Sequence, residues 1–370
     1  MEAISFIIPF IILITIVVFI HEYGHYYFAR KYGVGVTDFS IGFGKELFGF
    51  KDRNGTRWKF CLIPLGGYVK FFGDRNVFSQ AEQEELLKKY NESDQKKLFV
   101  TKPLYQRSII VAAGPFANFF LAIIIFTFVY MFSGKDFTPA KVDSVQENSP
   151  AYIAGIKKND IILSIDNNQV KSILEVSTYI NTSTSSKINL IVLRNNSELT
   201  FQLEPKTTSG NDSLGNQINK KIIGIKLSPP NNEFNNQKLS PSKAIYYAFK
   251  ETWFVTKTSV NFIFSLFKGK GDTDQLGGPI KIAQITGQVA QLGIVAFLSI
   301  TAYISISLGL INLFPIPMLD GGHLMFYGIE KILGRPLKQS TQEGFFRIGL
   351  FLLFSLMFFT TFNDLKNIGI

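Results

Sequence analysis

Residues 4–28 read ISFIIPFIILITIVVFIHEYGHYYF, and this segment decides the fold. A helix needs about 20 apolar residues to cross the hydrocarbon core of a bilayer, and the segment is long enough to do so. It therefore predicts a first membrane span. His21, Glu22 and His25 stand near the end of this span. Ionisable groups are costly inside a membrane and usually mark a functional site.

Three more apolar runs follow, at residues 108–132, 292–313 and 344–362. The predicted fold class is therefore an α-helical polytopic membrane protein with about four transmembrane helices. The composition agrees, because 46% of the residues are hydrophobic and only 18% are charged. The net charge of +10 does not indicate nucleic-acid binding, because the Lys and Arg residues form no basic face interleaved with aromatic residues.

The basic residues predict the topology. They concentrate in the loop between the first and second runs and in the loop between the third and fourth runs. Cytoplasmic loops of membrane proteins carry an excess of Lys and Arg. Both loops are therefore expected in the cytoplasm, with both chain ends and the long central segment on the opposite side.

The first loop contains a predicted β-hairpin, because strand-like sequences flank Asn54-Gly55, a strong turn signal. The following IPLGGYVKFF, which includes Gly66 and Gly67, is very apolar for a loop. We expect the hairpin to dip into the membrane against the helices; a small soluble hairpin is the alternative. Farther on, Ser79 and Glu82 form a capping box that predicts a polar helix through Tyr90.

The central segment, residues 135–230, alternates short strands such as KINLIVLR with turns. It resembles a PDZ domain of the bacterial, circularly permuted type, although another small sandwich would fit as well. The resemblance implies that the strand that binds a peptide's C-terminal carboxylate comes last, around Ile223, Gly224 and Ile225.

Residues 240–268 form an aromatic-rich amphipathic stretch that is expected to lie on the membrane surface. The alternative is a fifth span, which Lys250, Glu251 and Lys257 disfavour. The predicted domains are an N-terminal membrane part (1–133), the PDZ domain (134–230), the amphipathic segment with a linker (231–291) and a C-terminal membrane part (292–370).

The sequence HEYGH places His21 and His25 one helical turn apart on the same face. This spacing suits two ligands of one Zn²⁺, with Glu22 beside them as general base. The alternative is a pair of interfacial histidines at a helix end. A third ligand must come from elsewhere in the chain.

The third ligand is expected just after the third apolar run, which Pro315 and Pro317 break. Asp320 and His323 both follow the break. We prefer Asp320, because a carboxylate partly neutralises Zn²⁺ in a site of low dielectric constant. His323 is expected to support the ligands or to pack nearby.

Two distant motifs, HExxH and NxxPxPxLDGG (residues 312–322), carry a family resemblance together with GGYVKF, GPFAN and LGGP. The chain resembles the site-two protease family of intramembrane zinc metalloproteases, of the bacterial RseP type. It differs from some relatives in having room for one PDZ domain, where they have two.

This resemblance implies one zinc ion per chain, held by His21, His25 and Asp320, with Glu22 as the catalytic base. Asn312 would hold the substrate or support the site. Further residues expected to bind substrate or support the site are Gly66, Gly67, Asn118, Pro315 and Pro317. Gly114 and Pro115 belong to the same second-span motif as Asn118, with helix packing as the alternative role.

The resemblance also implies substrates, partners and location. The substrates would be single-span membrane proteins, such as anti-sigma-factor-like regulators and remnant signal peptides. The chain would lie in the bacterial inner membrane, in contact with the lipid bilayer, with its active site toward the cytoplasm. The PDZ domain, on the far side, would bind a C-terminal peptide or exclude bulky substrates.

Two other functions remain open from the sequence. An inactive, membrane-anchored PDZ scaffold would have no need of Glu22 beside the two histidines. A metal or ion transporter would explain His and Asp within the membrane, but it predicts inverted repeats and more polar spans, which the sequence lacks.

Overall fold

The computed structural model describes residues 2–74, 87–183, 185–211, 217–230, 233–269, 273 and 276–368. The capping box predicted at Ser79 and Glu82 lies outside these residues. The chain forms two compact units. The first comprises Met1–Ile125 and Pro279–Thr361, and the second comprises Phe126–Gly278 and Phe362–Ile370.

Within the described residues, four helices are long and apolar enough to cross a membrane. They are α1 (Glu2–Lys31), α3 (Leu104–Phe132), α8 (Ile294–Leu313) and α10 (Gln339–Ile368), where α2 is a single turn at Glu92–Gln95. The four predicted spans are thus confirmed as helices. Each begins within about five residues of its predicted start. The apolar runs form helices because a segment in lipid must satisfy its own backbone hydrogen bonds.

The first loop forms the predicted hairpin, made of β1 (Val36–Lys51) and β2 (Arg57–Phe71). Both strands bend, with irregular pairing throughout. Residues 38–41 pair with residues 67–70 and also with residues 57–60. Among the described residues, β1 and β2 form a sheet of their own, so the segment 66–71 lies at a sheet edge.

Asp52 ties the hairpin turn to α1. Its carboxylate accepts hydrogen bonds from the backbone N–H groups of Asn54 and Thr56, both at 2.9 Å. It also accepts from the indole N–H of Trp58 at 3.2 Å and from the hydroxyl of Tyr26, on α1, at 2.9 Å. The turn is therefore held against α1 one residue from His25.

Two short helices complete the first unit: α7 (Pro279–Gln291) and α9 (Asp320–Leu333). α7 packs on the beginning of α1, where Gly287 leaves no room for a Cβ beside Phe6. The start of α9 lies at the centre of the unit. A buried cluster joins the end of α1, the start of α3 and α9, and it includes Ala29, Val34, Phe99, Ile110, Val111 and Tyr327.

The second unit contains the PDZ domain. Its strands are β4 (Ala140–Val145), β5 (Ile161–Ile165), β6 (Asn168–Gln169), β7 (Ile188–Arg194), β8 (Ser197–Leu203) and β11 (Ile225–Ser228), and its helices are α4 (Pro150–Ala154) and α5 (Ile173–Thr182). Among the described residues, the sheet has the order β11-β4-β5-β7-β8, with β6 paired to β5.

Additional elements flank this domain. They are the strand pairs β9 (Lys206–Asn211) with β10 (Gln217–Ile222) and β3 (Lys135–Asp136) with β12 (Asn236–Gln237), and the long helix α6 (Pro241–Phe267). The predicted amphipathic segment is therefore one continuous helix. The PDZ core is apolar and buried, with Val142, Ile162, Ile188, Leu190 and Val192 at its centre.

Candidate metal centre

Three potential ligand atoms converge from opposite ends of the chain. The Nε2 atoms of His21 and His25, on α1, are 3.3 Å apart. Oδ2 of Asp320, the first residue of α9, lies 3.2 Å from Nε2 of His21 and 3.5 Å from Nε2 of His25. Within the described parts of the chain, this is the one group of three such residues close enough to hold a metal ion.

The spacing of these atoms fits zinc. Nitrogen and oxygen ligands lie about 2.1 Å from Zn²⁺, so at tetrahedral angles neighbouring ligand atoms are about 3.4 Å apart. The three measured separations all lie within about 0.2 Å of that value. Oδ2 of Asp320 is also buried without a hydrogen-bond partner among the described residues, as expected of an atom whose natural partner is a cation.

The Pro-rich break after α8 brings Asp320 to this position. α8 ends at Leu313, and Met318 takes a left-handed conformation with φ of 84° before α9 begins. A Cβ on Gly321 would overlap the carbonyls of Leu313 and Phe314, so α9 folds back tightly on the end of α8. The two glycines of LDGG are thus required by this close return, because a Cβ on Gly322 would meet Ile316 in the same way.

Hydrogen bonds orient the two imidazoles. Nδ1 of His25 donates to the backbone carbonyl of Ile110 at 2.9 Å, which leaves the Nε2 lone pair free for a metal. Nδ1 of His21 lies 3.3 Å from the buried amide of Asn118. A metal on Nε2 requires a proton on Nδ1, so Asn118 must turn its amide oxygen toward His21.

The other residues of the second-span motif separate into two roles. A Cβ on Gly114 would overlap the imidazole of His25, so this position must be glycine for the ring to fit. The carbonyl of Pro115 faces Gly309 on α8, where a Cβ would come within 2.9 Å. Gly114 therefore belongs to the site, whereas Pro115 lies at a helix-packing contact.

A cavity of about 500 Å³ opens onto the three ligand residues. Glu22, Asn312 and His323 all line it, as do Gly66 and Gly67 of the hairpin. Most of the residues predicted for the site are thus brought together. Pro315 and Pro317 do not line the cavity; they shape the break that precedes Asp320.

The hairpin backbone lies directly on α1. A Cβ on Gly67 would come within 2.9 Å of Val18 and 3.0 Å of Cγ of Glu22. This contact places the sheet edge, residues 66–71, along the cavity. The close packing of the strand on α1 therefore requires glycine at position 67, and the ring of Phe43 fills the space beside Gly66.

The sequence alone did not single out Asp74 and Phe346, which line this cavity, or Ile110, whose carbonyl accepts the hydrogen bond from His25. Ile110 acts through its carbonyl, which no sequence pattern reports. Burial raises the pKa of Asp74 to about 7. Burial also lowers the pKa of His323, whose ring packs 5.4 Å from that of Phe346. The one sequence signal that could have pointed to these residues is Asp74, a single acidic residue after an apolar strand.

The predicted peptide-binding residues lie elsewhere, in the second unit. Ile223, Gly224 and Ile225 line a separate cavity of about 550 Å³, which Val176 and Ile180 of α5 also line. The strand itself is β11, which begins at Ile225. Gly224 has φ of 79° and belongs to the preceding turn, and Ile223 is buried in the core.

A buried His-His-Asp set with a neighbouring glutamate, inside a bundle of apolar helices, defines a zinc metalloprotease of the membrane. The chain belongs to peptidase family M50, which matches residues 9–356. The resemblance to site-two proteases is thereby confirmed, and zinc is the cofactor that the family and the ligand set both indicate.

Curated relatives cover nearly the whole chain. A protein of Agrobacterium fabrum that is named a zinc metalloprotease is 43% identical, over 98% of this chain and 96% of its own length. The metalloprotease MmpA of Caulobacter vibrioides is 33% identical, over 98% of this chain and 95% of its own length.

Two solved PDZ domains each match about a quarter of this chain. The PDZ domain of an SdrC-like protein from Listeria monocytogenes covers 25% of this chain and 88% of its own length, with 23% identity and a TM-score of 0.20. The corresponding domain from Listeria innocua covers 24% of this chain and 92% of its own, with 26% identity and a TM-score of 0.19.

Proposed function

We propose that this chain is an endopeptidase that hydrolyses peptide bonds of single-span membrane proteins within or beside the bilayer. The observation that carries the proposal is the convergence of His21, His25 and Asp320 on one point in a helix that is otherwise apolar. Ionisable groups at such depth are retained where they serve function.

In this proposal one zinc ion per chain is held by Nε2 of His21, Nε2 of His25 and a carboxylate oxygen of Asp320. Three protein ligands leave one position open, as in catalytic rather than structural zinc sites. When bound, the metal supplies Lewis acidity, which makes water more acidic and the scissile carbonyl more electrophilic.

Glu22 is the proposed general base. It lies on the same helical turn as the ligands, it is only 9% exposed, and it lines the cavity. Its carboxylate takes a proton from the attacking water and then delivers that proton to the leaving amine nitrogen. The buried position keeps bulk water from competing with the substrate.

The hairpin supplies the proposed substrate contact. A helical substrate hides its carbonyls in its own hydrogen bonds, so a segment must unwind before it is cut. The free edge of residues 66–71 can pair with that segment as an added strand. Gly66, Gly67 and Asn312 all line the cavity, so the Asn312 side chain can hydrogen-bond the exposed backbone of the bound segment.

The proposed location is the bacterial inner membrane, with the catalytic site toward the cytoplasm. The support is the Lys and Arg content of the two loops that flank the site. The PDZ groove would then act on the far side, on a C-terminal peptide or as a size filter. Anti-sigma-factor-like regulators and remnant signal peptides are the proposed substrates, in regulated intramembrane proteolysis.

The test is cleavage of a purified single-span substrate by the protein in detergent, compared with the Glu22→Gln variant. We expect the variant to fold and to bind zinc but to cleave at least about a hundredfold more slowly, because it has lost the general base. A metal chelator should stop the wild type. Cleavage at the wild-type rate by Glu22→Gln would remove Glu22 from the mechanism.

A further inference from the structure

Among the described residues, three carboxylates and no Lys or Arg line the cavity beside the proposed metal centre. Two of the carboxylates, Glu22 and Asp320, belong to that centre. The third, Asp74, has no role there. It is partly buried, and burial raises its pKa because the water that would stabilise the charged form is largely excluded. A carboxylate in such a place is stabilised by a cationic partner.

The chain itself gives Asp74 little compensation. Its Oδ2 atom accepts a hydrogen bond from the backbone N–H of Phe71 at 3.2 Å, and within the described parts of the chain it forms no ion pair. The charge of Lys70 acts on this carboxylate. Lys70, however, does not line the cavity, and it lies opposite Asp38 across the sheet. The cavity therefore contains a carboxylate whose cation must come from a ligand.

Asp74 lies near the level at which the first span ends. Phe71, to which Asp74 is hydrogen-bonded, pairs with Val36. α1 ends at Lys31, five residues before Val36, and Arg30 precedes it, so this is the end predicted to be cytoplasmic. Membrane proteins carry an excess of Lys and Arg where they leave the bilayer on the cytoplasmic side. A single-span substrate bound in the cavity therefore brings basic side chains to this end.

The distance of Asp74 from the cut follows from the strand. A Cβ on Gly67 would come within 3.0 Å of Cγ of Glu22, so Gly67 marks the level of the proposed base. Phe71 comes four residues later, which is about 13 Å at 3.3 Å per residue. A substrate segment that pairs with residues 66–71 therefore presents its fourth residue from the scissile bond at the level of Asp74.

We propose that Asp74 determines substrate preference: its carboxylate pairs with a Lys or Arg side chain about four residues from the scissile bond, on the flank that leaves the membrane beside the end of α1. The rings of Phe71 and Phe99, which stack at 4.9 Å, line the same cavity and can cover the apolar stem of that side chain. This inference rests on the proposed function and adds a chemical preference to it.

The test uses the purified full chain in detergent and a set of single-span substrates. They carry Lys, Leu or Glu at one position, which is moved from the second to the sixth residue from the cut on that flank. Mass spectrometry checks that every substrate is cut at the same bond. A charge-assisted hydrogen bond shielded from bulk water supports about a tenfold difference in kcat/KM. We expect Lys to exceed Leu by about that factor at one position from the third to the fifth, with Glu the slowest.

Variants at position 74 separate a contact with substrate from a structural role in the turn after β2. Asp74→Asn keeps an acceptor for the N–H of Phe71 but removes the charge, so the ratio of Lys to Leu should fall to about one. Asp74→Lys should invert the order, so that Glu is cut faster than Lys. The matched control is Asp94→Asn, which removes the same charge from the same loop. Asp94 pairs with Lys97 and does not line the cavity, so the wild-type ratio should remain.

The possible results are distinguishable. Equal rates of the wild type on the Lys, Leu and Glu substrates at every position would overturn the preference and leave the proposed function standing. A loss of preference in Asp94→Asn as large as in Asp74→Asn would trace it to the charge of the whole loop, which also overturns the proposed contact. If the wild type cut none of the substrates, the proposed function itself would be wrong, and this inference with it.

Discussion

Replacement of Gly114 by alanine tests how tightly the structure holds the proposed metal ligands. The added Cβ would lie 2.5 Å from Cε1 and 2.9 Å from Cδ2 of His25. Carbon atoms prefer separations of about 3.5–4.0 Å, so the ring or the helix must move by about 1 Å. A displacement of that size is several times the roughly 0.2 Å that a metal–ligand bond tolerates.

The effect of Gly114→Ala can be expressed as a loss of zinc affinity. Moving His25 also strains the hydrogen bond from its Nδ1 to the Ile110 carbonyl, which is 2.9 Å long. Loss of such an outer hydrogen bond typically weakens metal binding about 10- to 100-fold, or about 1.4–2.7 kcal/mol. We expect Gly114→Ala to weaken zinc binding by at least the upper value, as measured by competition with a chelator in detergent.

The matched control is Gly328→Ala. Gly328 is also a helical glycine of the first unit, but a Cβ there meets nothing within 4 Å. Alanine should therefore stabilise α9 by about 0.5–1 kcal/mol and leave zinc affinity unchanged. If Gly114→Ala bound zinc as tightly as Gly328→Ala, the proposed fit of His25 against α3 would be wrong.

Two further predictions concern Asp320 and the helix that carries it. Asp320→Asn should lower the zinc content measured by atomic absorption well below that of the wild type, because the neutral amide is a poor ligand; unchanged content would point to His323. Arg107 and Glu330 join α3 to α9 through contacts of 2.5 and 3.2 Å. Arg107→Ala should therefore weaken zinc binding about tenfold, and the double variant Arg107→Ala/Glu330→Ala should weaken it less, because it leaves no unpaired buried charge. As a control, Lys135→Ala breaks the equally buried Lys135–Glu251 pair of the second unit and should leave zinc binding unchanged. Equal losses from the two alanine variants would assign the Arg107 pair a general structural role.

The spans and the pairing of His21 with His25 could be predicted from the sequence because both rest on local patterns. A run of about 20 apolar residues and an i, i+4 pair of histidines need no knowledge of the fold. The hairpin turn at Asn54-Gly55 is equally local. The prediction of Asp320 required one further argument, namely that an acidic residue beside a broken membrane span needs a cation as its partner.

The parts that escaped prediction depend on contacts between distant segments. The role of Ile110 is played by a backbone carbonyl, so no side-chain pattern marks it. The fit of Gly114 against His25 exists only once α1 and α3 cross. The double pairing of residues 38–41 follows from bends in both strands, which a hairpin signal at the turn does not describe.

X-ray absorption at the zinc edge of the purified wild-type protein addresses the core of the account. We expect one zinc per chain, with two imidazole nitrogens and at least one oxygen at about 2.0–2.2 Å. A spectrum with sulfur in the coordination sphere, a single imidazole, or protein that retains no zinc would contradict a site built from His21, His25 and Asp320.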